Sequence, residues 1–402
     1  MLKNTVAISN CKTYDYEDVN TCLTEMFKNL GMNPQNPFEE LVKPGNTVFI
    51  KPNWVASKWR KSCNHTDTIY SVITHPTIIE VIADKVNLAL KGKGKIIIGD
   101  NPSIDANFDE LMDFTGIKKL EAKYDIPCEI LDLRPLVCDD LKKYGKLHEM
   151  VQQKGDPRGG VEVNLGKESL LYGIDPLLFR GIFDEREETI KSHTEENQLY
   201  TYSKSIYDSD VYISIPKLKT HHKTGVTLNL KGQVGSILNK NQLVHWKVGY
   251  PEKNGDEYPS KSAYEESMRS KITNRGAWPG NDTIWRMVSD LYKGLLKKDR
   301  NYFSIIDGII AGEGQGPFCP DSVNSETLIA GSDFLITDII ATRYMGIDPM
   351  KIKYLNYFIE YFNINLNEIS VINNGIKADS FFGNQKYLNF KVKDVWNEIK
   401  IK

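Results

Sequence analysis

Short apolar runs bounded by turn residues alternate with amphipathic stretches along the first third of the chain. This alternation predicts strands at residues 5–9, 47–51, 95–99 and 128–131, and helices at 19–30 and 76–90. The second helix carries Pro76 in its first turn, where the fixed proline φ is favourable. The order strand, helix, strand predicts a parallel sheet whose strands are joined by crossover helices.

The same rhythm returns after residue 210, with strands predicted at 210–215, 302–306, 327–330 and 369–372, and helices at 281–296 and 335–345. Residues 139–200 carry more charge and break the rhythm. We interpret them as an insertion over the site, with a hairpin formed by 146–153 and 160–166 and a solvated segment at 184–197. A polar, aromatic stretch at 246–278 has no assigned role. The predicted fold is α/β, with layered, mostly parallel sheet and flanking helices, in two lobes with insertions: an N-terminal lobe (1–138), the insertion (139–200) and a second lobe completing the site (201–402).

The densest candidate chemistry lies at residues 208–235, where a strand leads into cationic side chains and glycines. Pro216 is expected to end this strand, because proline cannot donate to a strand ladder. Ligands bind at the carboxyl ends of strands in open α/β sheets, so the cluster indicates an anionic small molecule. If the chain stays extended, His221 shares a face with the lysines and His222 points away. The candidate ligand-binding residues here are Lys217, Lys219 and Lys231, with His221 as acid or base; for any one lysine, a solvated loop is the competing interpretation.

Four further motifs contribute candidates. Lys51 and Asn53 follow a strand, although Asn53 also suits an ordinary Asx turn. His75 lies at a helix N-terminus, which is either an anion site or a simple cap. Asp100 ends a buried strand. Asp338 falls inside a helix that Asp333 is expected to cap, where the helix dipole alone can explain both carboxylates.

The remaining motif, at residues 306–318, places four glycines around Glu313 after a strand that ends near Asp307. The glycines allow backbone N–H groups to line a cavity. Gly316 is therefore a candidate ligand-binding residue, and Asp307 and Glu313 are candidate acid and base groups. Together with Asp100 they are also the candidate ligands of a divalent metal. The spacing matches neither a phosphate loop ending in GK[ST] nor a dinucleotide GxGxxG fingerprint.

The composition limits the classes of binding partner and cofactor to be expected. Lys and Arg total 51 against 53 Asp and Glu, a formal charge of −2, so no global footprint for nucleic acid or an anionic membrane is expected. The apolar runs are too short for a signal peptide or a bilayer span, which favours a cytoplasmic protein. Six scattered cysteines form no CxxC pair, so we expect no iron–sulfur cluster and no local zinc site. A disulfide framework is not expected, and most of the thiols are interpreted as buried or idle.

The motifs in order, from IKPNWV through PKLKTH and LNLKG to GEGQGP, resemble the domain of unknown function 362 family over about residues 48–348. PKLKTH, LNLKG and GEGQGP are the more specific of these. Many members also carry a ferredoxin-like module with cysteine-rich motifs, which this sequence lacks, so their implied electron-transfer role is not carried over. The family commonly has Lys-Asn where this chain has Lys231-Gly232. The family-typical positions that the resemblance implies are Asn53, Asp100, Lys217, Lys219, His221, Lys231, Asp307, Glu313, Gly316, Pro317, Asp333 and Asp338.

A more distant likeness connects the chain to the lactate racemase family, whose members hold a nickel-pincer nucleotide near histidines and a lysine of an α/β protein. Fold analogy is a poor warrant for function. Two hypotheses remain: an enzyme acting on a small phosphate- or carboxylate-bearing metabolite in an interlobe cleft, and a non-catalytic ligand-binding or scaffold protein of a biosynthetic pathway. The sequence leaves the substrate, reaction, metal and oligomeric state open.

Overall fold

A computed structural model of the chain describes residues 2, 4–60, 63, 68–258, 260–263, 266, 275–378, 381–382 and 387–401. The strands are β1 Thr5–Asn10, β2 Thr47–Pro52, β3 Lys95–Asp100, β4 Cys128–Asp132, β5 Leu136–Val137, β6 Val151–Gln152, β7 Gly160–Asn164, β8 Phe179–Arg180, β9 Leu199–Ser203, β10 Val211–Ile215, β11 Lys217–His221, β12 Gly225–Val226, β13 Trp246–Lys247, β14 Asn301–Gln315, β15 Cys319–Gly331, β16 Ser370–Asn373 and β17 Ile376–Lys377. The helices are α1 Tyr16–Asn29, α2 Pro76–Leu90, α3 Phe108–Thr115, α4 Glu187–Ser192, α5 Lys204–Tyr207, α6 Leu228–Gly232, α7 Ile284–Leu296, α8 Phe334–Tyr344 and α9 Lys353–Tyr361.

One large sheet organises the molecule, in the order β17-β16-β1-β15-β14-β10-β2-β3-β4. From β4 to β14 every neighbouring pair is parallel, whereas β15 runs antiparallel to both β14 and β1. The predicted α/β fold with a mostly parallel sheet is therefore confirmed. Strands from the predicted segments 1–138 and 201–402 share this sheet, and the division of the chain into lobes stays a prediction.

Helices cover both faces of the sheet. On one face α1 and α2 bury apolar side chains such as Phe27 and Ile79 against Ile50 of β2. On the other face α7, α8 and α9 contribute Met287, Ile339 and similar side chains to a second core. Two apolar layers, one on each face of a buried sheet, are the usual way in which such a fold excludes water. They hold the strand ends, and thus the site, in fixed positions.

β10 ends at Ile215, as expected, but the extended chain continues past Pro216. β11 resumes immediately after it and pairs with β14, with Lys217 opposite Asp307. Asp307 N donates to the Pro216 carbonyl at 2.9 Å, so the proline still serves as an acceptor in the ladder. This continuation carries Lys217 to His221 alongside β14, which decides where each of those side chains lies.

The glycine-rich stretch after Asp307 is also different from the predicted loop. It belongs to β14, which forms a long hairpin with β15. A Cβ at Gly308 would lie 2.8 Å from the Thr327 carbonyl oxygen, and one at Gly312 would lie 2.6 Å from that of Ser71. These two glycines let the strand pack closely against neighbouring backbone; they do not line a cavity.

The hairpin predicted within the insertion was wrong, because its two strands pair with other segments. β6 pairs with β5, and β7 pairs with β9, so 146–153 and 160–166 each find another partner. The segment 184–197 is not wholly solvated either, because α4 buries Thr189 and Ser192 and the following His193 is fully buried. The buried side chains of this short helix are serine and threonine, so the sequence has no periodic pattern of apolar residues here that would predict burial.

Two of the cysteines are not idle thiols. Cys63 and Cys319 form a disulfide that links the segment after β2 to the start of β15, with their Cα atoms 5.4 Å apart. Their separation of 256 residues gave no local signal for the pairing. Cys11, Cys22 and Cys128 are buried free thiols, as expected. Within the described residues, no helix combines the length and apolar character needed to cross a bilayer.

Candidate functional site

A cavity of about 630 Å³ opens at the edge of the sheet where β2, β3 and β11 end. This is the edge at which parallel α/β sheets bind ligands. Among the described residues, the cavity is lined by two aspartates, Asp100 and Asp184, and by seven lysine and arginine side chains: Lys51, Arg60, Lys219, Lys223, Lys231, Lys240 and Arg275. A protein with a formal charge of −2 therefore concentrates positive charge in one place.

The ends of β2 and β3 supply a buried ion pair. Lys51 Nζ lies 2.7 Å from Asp100 Oδ1, and Asp100 also accepts from the backbone N–H groups of Trp54 and Asn101 at 2.7 and 2.8 Å. Gly235 packs directly on this pair: a Cβ there would lie 2.8 Å from Lys51 Nζ and closer still to Asp100. Both predicted residues thus line the cavity, although Asp100 is committed to Lys51 and backbone donors.

Asn53 lines the cavity too. Its Oδ1 accepts from the backbone N–H of Val55 at 3.3 Å, which is the Asx turn that the sequence allowed. Its own N–H donates to Thr74 Oγ1 at 2.8 Å. The side chain therefore holds the turn after β2 at the cavity wall, and its amide nitrogen donates to no residue that the structure describes.

β11 brings Lys219 and His221 to the cavity. Lys219 Nζ donates to the carbonyls of Val72 and Pro317 at 2.6 and 3.1 Å. Burial, together with the positive charges of Lys217 and Lys231, holds the pKa of Lys219 well below its usual range. Both contacts are with carbonyl groups, and no described carboxylate forms an ion pair with Lys219.

Both histidines of the pair line the cavity, so the expected opposition of His221 and His222 was wrong. β11 ends at His221 and the chain turns, so the alternation of a strand no longer applies. His221 Nδ1 accepts from the Lys223 backbone N–H at 3.0 Å, which places the ring proton of neutral His221 on Nε2. Burial and the charge of Lys231 keep the pKa of His221 well below its usual range. His221 therefore presents an Nε2–H donor.

Lys231 differs from the other predicted lysines in its contacts. It is buried, with 9% of its surface exposed to solvent. Its ammonium makes no hydrogen bond or ion pair with any residue that the structure describes. Burial and the nearby charge of Lys51 lower its pKa to about 8. Its segment, α6, is held by Asp338, whose carboxylate accepts from the N–H groups of Asn229 and Leu230 at 2.9 and 2.8 Å.

Asp338 itself lies outside the cavity wall, contrary to its predicted ligand-binding role. It is fully buried, and burial raises its pKa to about 7 despite the three N–H groups that it accepts from. Because it faces the start of α6, it positions Lys231 and does not touch the cavity. Asp333 caps α8 by accepting from Ile336 N at 3.0 Å, as predicted.

Lys217, Asp307 and His75 form a closed network behind the cavity wall. Lys217 Nζ lies 2.8 Å from Asp307 Oδ2, and both side chains are fully buried. Tyr14 OH donates to Asp307 Oδ1 at 2.8 Å, and its ring stacks on His75 at 3.8 Å between centroids. Burial, then the Lys217 charge, lowers the pKa of His75 to about 3. Its Nδ1 caps α2 by accepting from Thr77 N. These three predicted residues support the sheet, because β11 continues along β14 and pairs Lys217 with Asp307.

Glu313 and Gly316 lie away from the cavity wall as well. Glu313 binds the Lys391 side chain at 3.2 Å and its backbone N–H at 2.7 Å. Gly316 packs on the Thr220 carbonyl, and its neighbour Pro317 is the residue that lines the cavity. Asp100, Asp307 and Glu313 thus have three separate sets of partners. The described residues contain no group of three His, Cys, Asp or Glu side chains suited to a metal ion, so a divalent metal stays a prediction without a ligand set.

Several cavity residues escaped the sequence analysis, and they lie mostly in the irregular stretch after residue 222. Lys223 Nζ sits 4.5 Å from the centroid of the Trp246 ring, and Arg275 lies 5.6 Å from it. His245 Nδ1 lies 3.0 Å from the Leu243 carbonyl, which can only accept, so Nε2 of neutral His245 holds the free lone pair. One pattern could have indicated these cavity residues: lysine and arginine are interspersed with tryptophan and histidine at 240–278.

Comparison with known proteins agrees with the sequence resemblance. Residues 153–343 match the family described as Domain of unknown function (DUF362), which is the family that the sequence motifs resemble. The thylakoid-associated protein sll1697 of Synechocystis sp. is 24% identical over 324 residues, which is 80% of this chain and 70% of that protein.

Two solved structures resemble the fold at low similarity. A Thermotoga maritima protein solved by structural genomics gives a TM-score of 0.38 at 10% identity, over 86% of this chain. The lactate racemase apoprotein of Thermoanaerobacterium thermosaccharolyticum gives 0.36 at 12% identity, over 85% of this chain. The matches cover 59% and 57% of those two proteins, so the chain spans less than two thirds of either.

Proposed function

We propose that this protein binds a small anionic metabolite, carrying phosphate or carboxylate, in the cationic cavity and acts on it as an enzyme. The observation that carries the proposal is Lys231, a buried ammonium facing the cavity with no anionic partner among the described residues. Burying an unpaired charge is costly, and a bound anion removes that cost. The cavity volume of about 630 Å³ suits a small organic molecule.

The lysines around Lys231 support the same ligand class. Burial lowers the pKa of Lys223 and of Lys240 to about 7, and neighbouring cations contribute to both shifts. A bound anion would favour the charged forms of these lysines again. The cavity is therefore suited to a negatively charged ligand. Phe318, Tyr144 and Trp246 add aromatic surface for the rest of the ligand.

Two histidines favour an enzyme over a simple binder. His221 offers an Nε2–H donor and His245 an Nε2 lone pair to the same cavity, which is the complement that proton transfer requires. The alternative, a non-catalytic binding or scaffold protein, is favoured by the placement of Asp307 and Glu313 outside the cavity. A cytoplasmic location stays a prediction.

Thermal unfolding with and without anions tests the binding. Inorganic phosphate and phosphoenolpyruvate should raise the Tm of the wild-type chain, by about 2.7 kcal/mol of apparent stability at a hundredfold excess over Kd. Lys231→Met should be more stable than wild type without ligand, because an unpaired buried charge is gone. The same variant should respond less to phosphate.

Lys391→Met is the matched control, because Lys391 is an exposed lysine bound to Glu313 outside the cavity. It should keep the wild-type response to both anions. The proposal fails if neither anion shifts the Tm, or if Lys231→Met responds to phosphate as the wild type does.

A further inference from the structure

We propose that Lys231 is a nucleophile that forms an imine with the carbonyl group of an anionic 2-oxo acid bound in the cavity. The inference rests on the proposed function, since the cationic cavity has to hold the carboxylate of such a substrate. It adds a covalent step and a substrate class, and it assigns the role to a single amine.

Lys231 differs from the other lysines of the cavity in its contacts. An amine attacks a carbonyl through its nitrogen lone pair, so a lysine whose nitrogen is already held by other groups is poorly placed to attack. The other four are engaged as follows: Lys51 in the ion pair with Asp100, Lys219 on two carbonyls, Lys240 on the carbonyls of Asn101 and Pro102, and Lys223 over the Trp246 ring. Lys231 has no such partner within the described part of the chain and is free to react.

The surroundings of Lys231 favour its neutral form. The side chain is buried, and Lys51 supplies a fixed positive charge nearby that its own partner, Asp100, keeps in place. A second cation beside a buried lysine is a known way to activate an amine. With a pKa of about 8, roughly a tenth of Lys231 is neutral at pH 7. An unperturbed lysine would be almost wholly charged at that pH.

The step balances within the cavity. The Lys231 nitrogen forms a bond to the carbonyl carbon, the C=O π pair moves to oxygen, and one proton passes from nitrogen to that oxygen to give a carbinolamine. The hydroxyl then leaves as water with the second proton, and the nitrogen lone pair forms C=N. No oxidant or reductant is needed. His221 is placed to relay the protons, because it lines the same cavity with its ring proton on Nε2, and Lys231 is the charge that acts most strongly on it.

The site also offers a place for the carboxylate next to the carbonyl. Lys219 lines the same cavity, forms no ion pair with a described carboxylate, and would regain its charge beside a bound carboxylate. Gly232, directly after Lys231, has open space around the position of a Cβ, so substrate can approach the amine from that side. A 2-oxo acid carries its carboxylate next to its carbonyl, and both lysines line the cavity that would hold it.

Reductive trapping tests the imine. The protein is incubated with glyoxylate or pyruvate and sodium cyanoborohydride, and the intact mass and a peptide map are then measured. We expect one stoichiometric reduced adduct on Lys231, formed faster as the pH rises toward about 8 because more of the amine is neutral. Lys231→Arg should give no adduct at that position, whereas Lys391→Arg should give the wild-type adduct.

The phosphate-induced Tm shift separates the two proposals. Lys231→Arg keeps the positive charge, so it should retain most of that shift while losing the adduct. A wild-type shift without any adduct on Lys231, or adducts spread evenly over surface lysines, overturns the imine and leaves anion binding intact. Absence of both the shift and the adduct overturns both proposals, and the wild-type peptide map decides the question even if a variant does not fold.

Discussion

Lys217 and Asp307 show how a buried pair of charges is satisfied without a ligand. Asp307 accepts from Lys217 Nζ, from Tyr14 OH and from the backbone N–H of His75, and Tyr14 OH in turn accepts from Ile310 N at 3.0 Å. Burial lowers the pKa of Lys217 while the Asp307 charge opposes that shift. The network is closed on itself, which is the mark of a structural pair, whereas Lys231 is open toward the cavity.

Lys217→Met should destabilise the protein by about 3–5 kcal/mol, because it leaves Asp307 buried and unpaired. The double variant Lys217→Met/Asp307→Asn removes both charges and should recover much of that loss, as measured by urea denaturation. It should also keep the wild-type phosphate shift. A double variant that folds normally but no longer binds phosphate would return this pair to the functional site.

Among the elements, α6 depends on α8 for its position. Asp338 of α8 accepts from two backbone N–H groups of α6 and from Asn229 Nδ2 at 2.8 Å. Leu228, at the start of α6, has a φ of 48°, a left-handed backbone that an ordinary side chain adopts reluctantly. The Asp338 hydrogen bonds hold this unfavourable start in place, and Lys231 follows three residues later.

Asp338→Asn should therefore cost about 1–3 kcal/mol of stability, because an amide can no longer accept from all three donors. It should also weaken phosphate binding several-fold, since α6 loses its anchor. Asp333→Ala on the same helix is the matched control: it loses the N-cap, costs about 1 kcal/mol and leaves phosphate affinity unchanged. Calorimetry with phosphate measures both. Unchanged affinity in Asp338→Asn would mean that α6 holds Lys231 without this anchor.

The elements themselves were largely predictable, and the contacts between them were not. α2 begins at Pro76 and ends at Leu90 as predicted, since proline and glycine mark its boundaries locally. The pairing of Lys217 with Asp307 depends on β11 continuing past Pro216 beside a strand far along the chain. His245 reaches the cavity from an irregular stretch with no period. The local pattern of residues determines where helices and strands form. The partners of a side chain depend on the register between strands that are far apart in the sequence.

At the scale of the whole molecule, the near-neutral composition conceals a strongly uneven charge distribution. The formal charge is −2, yet the described cavity wall carries seven lysines and arginines against two aspartates. Charge of one sign in a concave, poorly solvated place focuses its field on a ligand of the opposite sign. Composition alone could exclude a global nucleic-acid footprint, but it could not reveal this local concentration.

That concentration predicts how stability depends on pH. Lys223, Lys231 and Lys240 have pKa values lowered to about 7, 8 and 7, whereas the unfolded chain keeps its lysines protonated to about 10.5. Between these limits the unfolded state binds more protons than the folded state, so the free energy of unfolding should rise with pH. Without ligand, the Tm should increase as the pH passes from about 7 to about 8, before thiols and tyrosines begin to titrate.

Saturating phosphate should reduce or abolish this increase, because a bound anion holds the lysine protons in place in the folded state. Lys231→Met should show a smaller increase than wild type, since one of the titrating groups is gone, and Lys391→Met should match the wild type. Thermal unfolding at a series of pH values, with and without phosphate, measures all four curves. A Tm that falls over this window in the unliganded wild type would show that the cavity lysines keep their ordinary proton affinity, and the electrostatic basis for anion binding would be lost with it.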